Sequence, residues 1–511
     1  IETNSKASFV RSFFLGYSSQ NFLFIILGSI VVIYFFKSLF LAFLTHKQNL
    51  LLNNVTAYIS NSLFQSYMCQ PYSYHLNKNS ADLVKNVQVE VHYFYTFLLS
   101  LISAFIEVGF VVSVIATLIY IEPVGAVSIG LFFTFLSFLF FQFTKNRIKK
   151  WGEVRHEIDS QISKIATETL GSIKYLLIAG KTSFFTKKYI SKNIIKSKIN
   201  SNQGTISQTP RFFLEFISIL GLVCFIILLI LQGRDTNSLF TSLGVFVAAT
   251  FRIIPSLNRI ISSIQSMKYF MPSVDTIYGE VINSINYKSS KNLYIKKFDF
   301  KQSILFKNVN FSYNSNELLK NINLSIKKGQ VIGIAGESGS GKSTLIDLLM
   351  GLHDPKSGDI LIDGMSSFQT SQEWRNIIGY VPQNVYLVDD SILNNIAFGI
   401  NEESVNLSRV NDLIKQLKLE KLINSLEFGL NTKIGEKGAQ LSGGQIQRIG
   451  IARALYNYPQ ILIFDEATSA LDSNTELNII DSIYSLKGDK TIVMIAHRIS
   501  TLSRCDFIFN I

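Results

Sequence analysis

The chain has 511 residues; 48% are hydrophobic, only 16% are charged, and the mean hydropathy is +0.27. That length holds more than one domain, and a water-soluble chain of that length carries more charge. The net charge of +12 would suit nucleic acid, but the basic residues crowd between apolar runs, which argues against nucleic acid and for loops beside anionic lipid. Three cysteines (Cys69, Cys224 and Cys505) give neither a metal-binding spacing nor an even disulfide set.

A helix needs about 20 apolar residues to cross a bilayer. Five stretches qualify: 21–45, 94–120, 124–143, 211–232 and 239–262, the last interrupted by Arg252, Pro255 and Arg259. Ahead of them, Phe9, Val10, Phe13, Phe14 and Tyr17 recur at helical spacing. They form either a short amphipathic helix on the membrane surface or the outer end of the next span. The segment 144–210 holds thirteen Lys or Arg against four acidic residues, a cytoplasmic bias. The connections at 121–123 and 233–238 then lie outside, and 46–93 and everything after 262 lie inside. Five spans would leave Ile1 outside the cell, so a sixth span upstream is expected in a longer natural protein. Each long cytoplasmic loop is read as two helices of about 20 residues, reaching roughly 30 Å below the bilayer at about 1.5 Å per residue. Their turns are predicted near Pro71–Asn79 and Ala179–Phe185.

The pattern changes after a polar linker. The predicted organisation is an α-helical polytopic membrane domain at 1–285, a linker at 286–303 and an α/β P-loop NTPase domain at 304–511. Val331–Ala335 reads as a buried strand running into Gly336-Glu337-Ser338-Gly339-Ser340-Gly341-Lys342-Ser343, followed by a helix from Thr344. Strand, glycine-rich loop and helix together make a P-loop in its required context. Its backbone amides would wrap phosphates, Lys342 would bridge the β- and γ-phosphates, and Ser343 would hold Mg²⁺. A second buried strand, Ile461–Phe464, ends in Asp465-Glu466. Asp465 sits where a partner for Mg²⁺ is needed, and Glu466 is placed to polarise an attacking water. Between them Leu441-Ser442-Gly443-Gly444-Gln445 opens a helix and supplies another anion-binding N-terminus.

A P-loop, that serine-glycine motif and a strand-end carboxylate pair, in that order, resemble the ABC ATPases from about 304 to 511. The resemblance implies further roles. Tyr313 looks like the aromatic that stacks on adenine. Gln383 looks like the residue that senses Mg²⁺ and couples to the membrane domain. Asp472 matches the D-loop, and His497 the switch histidine at the γ-phosphate. ATP and Mg²⁺ are the implied cofactors. In that family two ATPase domains pair head to tail, each nucleotide lying between one P-loop and the partner's Ser442–Gln445 motif. A second copy of this chain is therefore the expected partner, with a different chain as the alternative.

A membrane domain preceding the ATPase on one chain resembles ABC exporters, as does Gly435-Glu436-Lys437-Gly438 before the serine-glycine motif. Lys37, Glu107, Arg252 and Arg259 lie at membrane depth, where each costs about 3 kcal/mol on insertion scales. Arg252 and Arg259 are either a phosphate or pyrophosphate site or partners for acids such as Glu107. Together with His75–Leu83 and Gly379–Leu387, the two arginines resemble bacterial flippases of lipid-linked oligosaccharides; Asp389-Asp390 depart from the Phe-rich stretch of other exporters. The resemblance implies a polyprenyl-pyrophosphate glycan as cargo, Arg252, Arg259 and Lys37 as its contacts, and a bacterial inner membrane with the ATPase domain cytoplasmic. The rival readings are an exporter of peptide, lipid A or drug, and an ATP-gated channel. Five apolar spans exclude a soluble DNA-repair ATPase.

Overall fold

The computed structural model describes residues 19–121, 123–231, 236–288, 298–313, 316–366, 371–467, 476, 480–481, 483–496 and 502–511. The chain divides into two compact units, one of residues 1–70 and 74–291, the other of 71–73 and 292–511.

The first unit is helical. Its elements are α1 (Ser19–Cys69), α2 (Tyr72–Asn77, whose first two residues are counted with the second unit), α3 (Ser80–Lys85), a π-helical turn (Asn86–Glu90), α4 (Val91–Ile121), α5 (Pro123–Gly171), α6 (Ile173–Ile178), α7 (Thr182–Leu231) and α8 (Thr236–Lys288). At about 1.5 Å per residue, the 51 residues of α1 run well past the roughly 30 Å hydrocarbon layer. Among the described residues, Phe24–Cys69, Ser80–Tyr120 and Thr182–Val223 are long and apolar enough to cross a membrane. The predicted spans 124–143 and 239–262 fall inside α5 and α8, and the surface helix expected at 9–17 lies outside the described residues. Phe24, Val31 and Phe36 stay exposed around α1, as a lipid-facing helix requires. The chain breaks between α1 and α2, between α2 and α3, and at 179–181 between α6 and α7.

Small apolar clusters join the long helices: Leu63, Val91 and Ile277 tie α1 and α4 to α8, and Leu214, Ile253 and Leu257 tie α7 to α8. Gly152 lets α5 meet α8 backbone to backbone, since a Cβ there would lie 2.4 Å from the Tyr269 carbonyl oxygen. Charge is buried beside that contact. Glu90, at 0% exposure, lies 3.1 Å from Lys85 Nζ and 3.0 Å from His156 Nδ1. Arg155, at 1%, donates to Ser273 Oγ at 3.1 Å, and its guanidinium lies 3.9 Å from the centre of the Tyr93 ring.

The second unit is α/β. One sheet has the order β2-β1-β4-β5, antiparallel, from β1 (Ser303–Tyr313), β2 (Asn316–Lys327), β4 (Ser357–Ile362) and β5 (Met365–Ser366). The other is parallel with the order β6-β7-β8-β3-β9, from β3 (Val331–Ala335), β6 (Ile378–Val381), β7 (Ile461–Asp465), β8 (Thr491–Ile495) and β9 (Phe507–Asn510). Successive residues of β3, β7 and β8 enter opposite cores. Ile332, Ile463 and Val493 pack with Phe306 and Trp374, while Val331, Leu462 and Ile492 pack with Leu413 and Ile449. Burial on both faces is why these strands read as unbroken apolar runs. With β8 between them, β3 and β7 deliver the P-loop and the Asp465-Glu466 pair to the same carboxyl edge of the sheet, where α/β folds bind ligands.

Candidate nucleotide site and membrane cavity

The P-loop leaves β3 and enters α9 (Lys342–Leu349) through Gly341, whose φ is +102°. A side chain there would be strained, and its Cβ would lie 2.8 Å from Leu319 Cδ2. Lys342 is buried and folds back over the loop, donating to the carbonyls of Gly336 at 2.9 Å and Glu337 at 2.8 Å. Ser343 is exposed at the first turn, while Thr344 is buried beneath it; Gly336, Ser338 and Gly339 are exposed around the cradle. Ser340 Oγ is buried without a hydrogen-bond partner. A nucleotide phosphate fits this arrangement: Lys342 rests on neutral carbonyls it can exchange, and an orphaned hydroxyl faces inward. The Ser343 hydroxyl, Asp465 carboxylate and Gln383 amide supply the hard oxygen donors that Mg²⁺ takes alongside phosphate.

At the end of β7, Glu466 has φ +50°, a left-handed conformation that costs about 1–3 kcal/mol outside glycine. Its amide donates to the Ile495 carbonyl at 3.1 Å. Gln383 Nε2 donates to Glu466 Oε2 at 2.6 Å, so two predicted residues meet directly. Tyr380, on β6, reaches Asp465 Oδ2 at 3.5 Å. Burial, with Glu466 beside it, pushes the Asp465 carboxyl up. Asp347, on α9, is pushed up to about 6 by burial and by the Asp465 charge. Tyr313 ends β1 exposed, its hydroxyl 3.2 Å from His353 Nε2. Tyr72 also belongs to this unit, its ring 5.6 Å from that of His353.

Ser442 caps α10 (Gly443–Tyr456). Gln445 N donates to Ser442 Oγ at 3.3 Å, and Ser442 N donates to Gln445 Oε1 at 2.7 Å, a reciprocal capping box. Gly443 is exposed and Gly444 half-buried at the same end. Asp472 and His497 lie outside the described residues.

In the helical unit a cavity of about 760 Å³ opens between α7 and α8, lined by Arg211, Glu215, Thr250, Phe251, Asn258 and Arg259 among others. Arg259 pairs with Glu107 through Nε to Oε1 at 2.5 Å and Nη2 to Oε2 at 3.2 Å. Arg252, seven residues earlier, is exposed and does not line this cavity. Lys37 is exposed on α1, 5.0 Å from the centre of the Tyr34 ring. Of Arg252 and Arg259, Arg259 alone lines this cavity.

Sequence reading missed Tyr380, His353 and Asp347. Asp347 had a signal, as the one carboxylate in an apolar P-loop helix; the other two had none.

The model of the ABC transporter family matches residues 319–469. An ATP-dependent lipid A-core flippase of Cupriavidus pinatubonensis is 26% identical over 465 residues, covering 90% of this chain and 78% of its own length. A protein of that name from Francisella tularensis is 29% identical over 74% of this chain and 61% of its own. The leukotoxin translocation ATP-binding protein LktB of Mannheimia glucosida is 42% identical over 234 residues, 45% of this chain and 32% of its own. Among solved structures, a bacterial Atm1-family ABC exporter with ATP bound superposes with a TM-score of 0.78 at 23% identity, covering 99% of this chain and 89% of that one.

Proposed function

We propose that this chain, an ABC half-transporter that fuses a helical membrane domain to its ATPase and hydrolyses ATP to drive export, moves a lipid with a phosphorylated and glycosylated head to the outer leaflet. The cargo reading is a polyprenyl-pyrophosphate-linked oligosaccharide. The observation that carries it is Arg252: an exposed guanidinium on a membrane helix, with no carboxylate paired to it among the described residues, suits a pyrophosphate. Lys37 on α1 is a second such cation. A lipid A-type cargo is the second reading, favoured by relatives named lipid A-core flippases at 26–29% identity.

In this reading two copies pair in a bacterial inner membrane with their ATPase domains in the cytoplasm. Each P-loop faces the other copy's Ser442–Gln445. ATP supplies the phosphoanhydride bond whose cleavage resets the dimer. Lys342 and the loop amides hold its phosphates; Ser343, Asp465 and Gln383 hold Mg²⁺; Glu466 takes the proton of the attacking water; Asp472 and His497 complete the site. Moving a closed–open equilibrium from 1:99 to 99:1 takes about 5.5 kcal/mol of differential binding, within reach of two sandwiched nucleotides. The turns near 71–79 and 179–185 would carry that closure to the spans.

The test is flipping in proteoliposomes of the full-length protein, offered a short-glycan polyprenyl pyrophosphate and, separately, lipid A. ATP-dependent movement of the first, lost in Arg252→Ala while ATPase persists, is the expected result. Movement of lipid A alone replaces the cargo with the second reading. Hydrolysis with neither lipid moved removes the flippase reading, and a steady ATP-gated current favours a channel.

A further inference from the structure

His353 takes no part in the phosphate chemistry proposed above, yet it is tightly packed. It is 8% exposed, and three aromatic rings lie against it: Phe311 at 5.3 Å, Tyr313 at 5.6 Å and Tyr72 at 5.6 Å between ring centres. The turn that carries it, just past the end of α9, is pinned as well. Trp374 Nε1 donates to the Leu349 carbonyl at 2.6 Å, and Arg375 Nη1 to the Gly351 carbonyl at 3.1 Å. An imidazole held by its backbone and its neighbours cannot swing to another rotamer without displacing a packed ring.

Its polar contact is with Tyr313. The phenol Oη lies 3.2 Å from His353 Nε2, in a hydrogen bond, and the two rings stand at 86°. Burial lowers the His353 pKa against the pull of Asp354, which keeps the imidazole mostly neutral at neutral pH. A hydroxyl bonds a neutral imidazole nitrogen as donor or as acceptor. Phe311 meets the Tyr313 ring edge to face at 5.0 Å and 89°. Tyr313 is thus fixed at its tip and along its ring, although it is 41% exposed. An exposed tyrosine ordinarily turns among staggered wells. This one is held in place with open surface left for a flat ligand. It also stands near the phosphate cradle. The hairpin that turns at Tyr313 returns along β2 to Leu319, whose Cδ2 a Cβ on the P-loop Gly341 would strike.

We propose that His353 is a positioning residue for nucleotide binding: it sets the Tyr313 ring in the orientation that receives the base, so that ATP need not order that ring on arrival. The proposal rests on reading Tyr313 as the aromatic that stacks on adenine, and extends that reading by one residue. The gain is preorganisation, since a ring already immobilised loses no rotamer freedom when the base lands.

The experiment is calorimetric binding of ATP to the full-length transporter in nanodiscs, without Mg²⁺ so that nothing is hydrolysed, with inorganic tripolyphosphate as the second probe. Tripolyphosphate offers phosphates to the P-loop and nothing to Tyr313. His353→Phe keeps a packed ring and deletes the hydrogen bond. It is expected to weaken ATP about fivefold and tripolyphosphate less than about twofold. Tyr313→Phe deletes the same bond from the other side, so it is expected to cost the same factor, and the double variant no more than either single one. His353→Gln, whose amide can restore the bond, is expected to recover ATP affinity to within about twofold of the parent. The proposal is overturned if His353→Phe weakens both probes alike, as damage to α9 would, if the two single losses multiply, or if His353→Gln rescues nothing. Tyr313→Ala separates it from the reading beneath. If that variant weakens ATP while His353→Phe does not, the proposal alone falls; if neither weakens it, base stacking by Tyr313 falls as well.

Discussion

Lys342 and Arg259 are both cations beside a candidate binding space, and the chain holds them in different ways. Lys342 leans on two peptide carbonyls, neutral dipoles that a phosphate outbids at once. Arg259 is held by a carboxylate through two contacts. The ATPase unit keeps its charge exchangeable and so is ready for an anion. In the helical unit Arg259 keeps its charge spent on Glu107, while Arg252 on the same helix stays exposed.

The largest expected effect tests the exchangeable side. Glu466→Gln should cut ATP hydrolysis by about 100-fold or more while nucleotide binding persists, measured by phosphate release and by a fluorescent ATP analogue. Hydrolysis within a few-fold of the parent would place the base elsewhere. Next comes the spent side. Glu90→Leu strands Lys85 at full burial, and the helical unit should lose about 3 kcal/mol of stability, read from thermal unfolding in detergent. An unchanged midpoint would mean that the buried pair contributes no net stability.

A smaller effect depends on pH. The folded-state carboxyl of Asp347 is raised to about 6, above its unfolded value of 3.8. Its contribution to stability is therefore complete below about pH 4 and is lost as pH rises through about 6. Asp347→Asn should raise the unfolding temperature of the protein at pH 7.5 and leave it nearly unchanged at pH 4; an equal shift at both pH values removes this account. The smallest effect is Ser442→Ala, which removes one half of the capping box and should cost about 1 kcal/mol in the ATPase unit by chemical denaturation.

How far the sequence could be read follows from how far apart the interacting residues lie. The P-loop, the capped serine-glycine helix and the strand-end carboxylates act through neighbouring backbone, so a short stretch of letters carries each. The arrangement of the nine strands among the described residues was only partly legible, because burial on both faces marks β3, β7 and β8 but not their order. Contacts between distant residues left no trace. Gln383 meets Glu466 across 83 positions, Tyr313 meets His353 across 40, and Arg259 meets Glu107 across 152. The last was one of two options the composition of the spans allowed, and only packing decides between them. Arg252 and Arg259 looked equivalent at a spacing of seven, yet the lining of the cavity separates them.

The capping box at Ser442 has one more consequence. Its hydroxyl occupies the amide of Gln445, which leaves the amides of Gly443 and Gly444 as the outward-facing donors of that helix end. Neither glycine has a side chain to shield them or to ionise. An anion docking there is met by peptide dipoles alone, so its attraction stays constant from acid to alkaline buffer. Any acidity dependence in this protein's turnover must then enter through groups such as Asp347, and the two could be told apart by titrating nucleotide affinity and turnover side by side.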